Sequence, residues 1–148
     1  MEIITLSAVR EIAEKYIPAS LRWGHMDEPW GPAHEIGHLL VARPSQVKKR
    51  DYGLVPWWGK PNMKQQIYEV AASFVHTWIL VFCWGGTKHA KTTWDEWVPD
   101  FMMEKRWVKL KAPAMGLLKK RGITPASVQT LKGLEAHCKR AVEVAASF

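Results

Sequence analysis

The chain is poor in the features that would mark it as disulfide-rich, membrane-spanning or nucleotide-binding. It holds only two cysteines, Cys83 and Cys138, in 148 residues. Two do not make a disulfide framework, and a reducing compartment is the simpler reading. The longest apolar run, Trp78 to Trp84, is far short of the roughly 20 residues a bilayer-spanning helix needs. The start, Met1-Glu2-Ile3-Ile4-Thr5, has neither a basic n-region nor a long apolar h-region, so no secretory signal is read there. A cytoplasmic protein with no membrane association is expected. The Gly85-Gly86-Thr87-Lys88 turn lacks the spacing of a phosphate loop. Before residue 31 no segment alternates apolar and polar residues as a half-buried strand does.

What the chain does have is apolar bulk. Hydrophobic residues make up 47% of it, enough for a globular fold, and its length fits one domain, 1–148, with a real core. Nine tryptophans add large area to bury, each with an N–H that wants a partner. The net charge of +7 is uneven. Lysine and arginine balance aspartate and glutamate over residues 1–100, so the whole excess falls in the C-terminal third, about 101–148. That basic third, with Lys119, Lys120 and Arg121 at its most concentrated, is a candidate surface for nucleic acid or another polyanion. A solvated helical face is the plainer alternative.

The stretch around which the chain is organised is Gly31-Pro32-Ala33-His34-Glu35-Ile36-Gly37-His38-Leu39-Leu40-Val41-Ala42. Pro32 suits a first helical turn, where its missing N–H costs nothing. Pro44 forbids a continuation and pushes Arg43 out of the helical region. A helix over about 32–42 follows. Residues four apart on it differ by about 40° and rise about 6 Å, so His34 and His38 point the same way and can share one metal ion. Glu35 in His34-Glu35-x-x-His38 then flanks the metal as a general base. Ala33, Ile36 and Leu40 form an opposite face for burial.

Ala33-His34-Glu35-Ile36-Gly37-His38-Leu39-Leu40 resembles the active-site helix of the zincin metallopeptidases. It is most similar to the gluzincin branch and to small ImmA/IrrE-type metallopeptidase domains. The metzincin extension is absent, since Val41 and Pro44 stand where its glycine and third histidine would be. The resemblance implies zinc held by His34 and His38, Glu35 as the base, a peptide or protein substrate, and a glutamate on a following helix as third ligand. Zincins usually carry a small sheet before the motif helix. With no strand pattern there, the expected fold is mostly α, a minimal zincin-like core of about five to six helices with little or no β-sheet.

The following helix reads from Asn62, a good cap, to about Trp84. Ile67, Val70, Ala71, Phe74, Val75, Trp78, Ile79 and Phe82 share one broad arc. Glu69, His76 and Cys83, spaced by seven, form a nearly straight row on the other. Glu69 comes 31 residues after His38, a spacing plausible for the gluzincin ligand, and is the preferred third ligand. His76 is the competitor, because a three-histidine site is chemically as acceptable. If Glu69 ligates, His76 is placed to bind substrate or steady the oxyanion.

The remaining stretches are read more coarsely. Ser7 to Tyr16 is a first helix ended by Pro18. His25, Asp27 and Glu28 lie in a loop before the motif. Residues 43–61 form a long connection with a basic knuckle, Lys48-Lys49-Arg50, and a Trp57-Trp58 pair; Tyr52 within it could supply a transition-state hydrogen bond. A short helix from Thr92 or Thr93 is interrupted by Pro99, and 102–111 is basic and amphipathic. A brief helix starts at Pro113 and ends at Gly122. Thr124-Pro125 reads as the cap of a last helix, with Val128, Leu131, Leu134, Cys138, Val142 and Ala145 on one face. The function read from this pattern is a small zinc metalloprotease. The alternative is a zincin-derived, non-catalytic module that binds a protein partner or nucleic acid through the basic third.

Overall fold

Sequence periodicity becomes five α-helices in the computed structural model, which describes residues 5–18, 31–49, 52, 54, 62–83 and 109–147. No strand occurs among the described residues. None of their helices is long and apolar enough to cross a membrane.

Helix α1 spans Leu6–Tyr16 and starts where Thr5 accepts the Ala8 N–H through its hydroxyl, at 3.1 Å. Satisfying one free N–H of the first turn is what makes threonine a good cap. Val9, Ile12 and Ala13 are its buried stripe. Helix α2, Gly31–Val41, carries the motif. It ends before Arg43, whose extended backbone leads into a single 3-10 turn at Pro44–Gln46. The Gln46 side chain accepts the Arg43 N–H at 2.8 Å and holds this exit.

Helix α3 spans Met63–Cys83, with Asn62 accepting the Gln65 N–H at 2.9 Å. It is buried nearly all round from Tyr68 to Leu80, with Glu69 and Trp78 half-buried. Its buried hydroxyls turn inward on the helix itself: Ser73 donates to the Glu69 carbonyl at 3.0 Å and Thr77 to the Ser73 carbonyl at 2.8 Å. Such back-bonding lets polar side chains sit in an apolar layer.

Helix α4, Lys111–Lys120, stops at Gly122, which takes a φ of 72°. Gly122 N–H bonds the Lys119 carbonyl at 3.0 Å and Ile123 N–H bonds the Leu118 carbonyl at 2.9 Å. That pair of bonds is the Schellman ending, which favours glycine in the left-handed conformation. Helix α5 spans Leu131–Ala146.

The last helix begins later than Thr124-Pro125 predicts. Those residues lead into a 3-10 turn at Ala126–Val128, tied by Thr124 and Ser127, each bonding the other's backbone N–H. The working cap is Thr130, which accepts the Gly133 N–H at 3.0 Å. Glycine is needed at 133, because a Cβ there would overlap the Ser127 carbonyl oxygen. The predicted stripe survives the shift: Val128, Leu134, Cys138 and Ala145 are buried.

Helix α2 lies at the centre, packed against α3 on one side and against α1 and α5 on others. It is therefore wrapped rather than two-faced. Of its eleven residues only His34 is not fully buried. The expected loop residues His25, Asp27, Glu28, Arg50, Trp57 and Trp58, the short helix near 92–101 and the basic stretch 102–108 lie outside the described residues.

Candidate metal centre

The site is made by the closest approach of two helices. Gly37 shares the inner face of α2 with His34 and His38, and it meets Ala72 of α3. A Cβ on Gly37 would overlap the Ala72 carbonyl oxygen and stand 3.1 Å from its carbon. Only a residue without a side chain lets the two backbones touch there. Ala71 and Ala72, both buried, keep the facing surface of α3 equally thin. With the axes this close, Glu69, one turn before Ser73, comes under the two imidazoles.

Donor atoms of three residues converge, two imidazole nitrogens and both oxygens of one carboxylate. Nε2 of His34 is 3.0 Å from Oε1 of Glu69 and 3.1 Å from Nε2 of His38. Nε2 of His38 is 3.2 Å from Oε2 of Glu69. Donors set tetrahedrally about 2.0–2.1 Å from a zinc-sized ion are separated by about 3.3 Å, so the triangle has the right size. Two imidazole nitrogens and a carboxylate are also the donor types that suit such an ion. The group His34, His38 and Glu69 could hold a metal ion.

The electrostatics agree with that geometry. Burial pushes the Glu69 carboxyl upward, but the His38 and His34 rings outweigh it and hold the group well below the usual carboxylate range. Glu69 is thus an anion, although a third of its side chain, 33%, remains exposed.

His76 stands elsewhere than at the third corner. Its Nδ1 is 3.2 Å from Nδ1 of His34, on the opposite side of that ring from Nε2. The two rings meet edge to face, 5.3 Å between centroids. Burial holds His76 well below the ordinary histidine value, with His34 and His38 adding to this and Glu69 opposing it. A neutral His76 can accept the Nδ1–H of His34, which leaves His34 Nε2 with its lone pair turned to the triangle. Of the two candidates for third ligand, Glu69 is the one in the donor group.

Tyr52 is buried, 3% exposed, with its backbone at φ 56°. A left-handed non-glycine residue is uncommon and costs free energy that surrounding contacts must offset. Those contacts lead to the motif. The Tyr52 ring stacks on His38, 5.7 Å between centroids and 18° between planes, and its hydroxyl donates to the Glu35 carbonyl oxygen at 3.4 Å. Glu35 is 2% exposed, one residue along α2 from His34.

Two contributors escaped the sequence reading. Gly37 carries a signal in the sequence itself, since a glycine in a helix interior often marks a close approach. The role of Tyr52 as a brace had no local signal, because it depends on a loop folding back over α2. Lys119 and Lys120 are exposed and Arg121 half-exposed at the end of α4, away from the triangle's residues in sequence and on another helix. No family model, curated protein or solved structure matches this chain.

Proposed function

We propose that this protein is a zinc-dependent hydrolase, a small metallopeptidase of the zincin type. The observation that carries the reading is the convergence of His34 Nε2, His38 Nε2 and the Glu69 carboxylate at 3.0–3.2 Å, with Glu35 next to the first of them. Zinc, when bound, supplies Lewis acidity that polarises a peptide carbonyl and acidifies water. His34, His38 and Glu69 are the residues that would hold it. Glu35 accepts the proton of the attacking water and delivers it to the leaving amine. Its burial, 2% exposed, keeps this carboxylate out of bulk solvent beside the donor group. His76 and Tyr52 orient His34 and His38 respectively.

The test uses two variants with opposite signatures. Glu35→Gln should retain zinc and lose peptide hydrolysis. His38→Ala should lose both. Full activity in Glu35→Gln would overturn the reading. A second reading, a non-catalytic module that contacts a polyanion, has one observation in its favour: Lys119, Lys120 and Arg121 cluster at the end of α4. Cations there also complement the helix dipole. Salt-sensitive oligonucleotide binding lost in Lys119→Gln/Lys120→Gln/Arg121→Gln, with no hydrolysis by the wild type, would select it.

A further inference from the structure

The side of α2 turned away from the metal donors lines a second concavity. Leu40 lies about 200° round the helix from His38. With Val47, Ile123 and Val144 it forms the apolar surface of an open cleft of about 220 Å³ between the end of α2, the segment after α4, and α5. Leu40 and Ile123 are buried floor, while Val144 is 44% exposed. The rim is cationic, with Lys120, Arg121 and Arg140 lining it and no aspartate or glutamate among the described lining residues. None of these three cations forms an ion pair with a described residue. His137 also lines the cleft, its Nε2 bonded to Ser127 Oγ at 2.9 Å. Burial, and then the charge of Arg140, hold this imidazole below its ordinary value. The cleft therefore joins a positive rim, with no counter-charge among the described lining residues, to an apolar floor.

Those features restrict the occupant. An aliphatic floor wants a hydrocarbon, and two guanidinium groups match a planar carboxylate. Among the described residues no Trp, Tyr or Phe lines the cleft to stack a base, which disfavours nucleic acid. The volume lies below the roughly 300 Å³ at which sites for drug-sized ligands begin. We propose that this cleft binds a small aliphatic carboxylate, its head on Arg121 and Arg140 and its tail on Leu40, Val47, Ile123 and Val144. The proposal is independent of the metal reading, since it shares no residue with the donor triangle.

Octanoate is the probe, titrated calorimetrically into the whole chain, with octan-1-ol (tail without charge) and acetate (charge without tail) beside it. The His137 ring signals report the location by NMR. Octanoate is expected to bind once per chain, about tenfold or more tighter than either control, and to shift His137. Arg121→Gln/Arg140→Gln should lose about tenfold with the thermal melt unchanged. Arg140→Lys, which keeps charge and removes the fork, should lose part of this, and Val144→Ser should weaken octanoate but not acetate. Equal binding of octan-1-ol, no octanoate binding, no His137 shift, or unchanged affinity in the double variant would each overturn the proposal. So would an oligonucleotide or a glutamate-rich peptide that binds the cleft while octanoate fails to displace it.

Discussion

His76 and Glu69 grip the same imidazole from opposite sides. Glu69 Oε1 lies 3.0 Å from Nε2 of His34, and His76 Nδ1 lies 3.2 Å from its Nδ1. They come from one row of α3, two turns apart, and the His34 ring is inserted between them. One nitrogen is thus reserved for the donor triangle and the other for a buried neighbour that fixes the ring's orientation and tautomer.

Removing that neighbour should weaken metal binding without changing its stoichiometry. His76→Ala is expected to lose about 10–100-fold in zinc affinity, the usual cost of deleting a group that orients a ligand. Competition against a chromophoric chelator measures it. An unchanged affinity would mean that α2 alone holds the His34 ring in place.

Glu69→Gln conserves shape and removes the anion. Zinc content per chain should fall steeply, because two histidines alone leave an incomplete site. Elemental analysis beside the wild type reads this directly. If Glu69→Gln kept full zinc and His76→Ala lost it, the donor group would need to be redrawn around three histidines.

Gly37→Ala tests the approach of α2 to α3. The added methyl has backbone in its way rather than the end of a flexible side chain, so the helices must separate. A loss of about 1–3 kcal/mol in stability is expected, as for overpacking elsewhere. Zinc affinity should fall with it, since the triangle spans the same two helices. Gly116→Ala, at a helical glycine with nothing near a Cβ, is the control and should be neutral or slightly stabilising.

Cys138 gives a pH prediction. Its thiol is buried, and burial followed by the charge of Glu135 pushes its pKa up to about 12. In the unfolded chain it ionises near the ordinary thiol value of 9.0. A group raised in the folded state stabilises fully below the unfolded pKa, and that contribution is lost as pH rises towards the folded one. Stability should therefore fall between about pH 9 and 12, by up to about 1.4 kcal/mol per pH unit from this group. Urea unfolding at several pH values checks it, and Cys138→Ala should show a shallower alkaline decline. The same value means that Cys138 is core and not a nucleophile.

The chain's own residues determined the local architecture. Thr5 and Asn62 mark helix starts, Pro44 and Gly122 mark exits, and the apolar stripes of α1 and α5 follow the 3.6-residue period. The pairing of His34 with His38 is local too, since a spacing of four on a helix aligns two side chains whatever lies around them. Signals carried within a few residues are the ones a sequence displays openly. The start of α5 was misplaced because Thr124-Pro125 and Thr130 both have capping chemistry, and packing of Val128 into the core favours the later one.

Tertiary structure decided the rest of the site. Glu69 and His76 share one row of α3, so periodicity offers both to α2 with equal weight. The contact of Gly37 with Ala72 sets where the helices cross, and this crossing gives Glu69 to Nε2 of His34 and His76 to Nδ1. The stacking of Tyr52 on His38 likewise depends on a loop returning across α2. The cleft joining Arg121, Arg140 and Leu40 assembles three segments far apart in the chain. Each of these choices is a non-local contact, and its free energy appears only when distant segments are already packed.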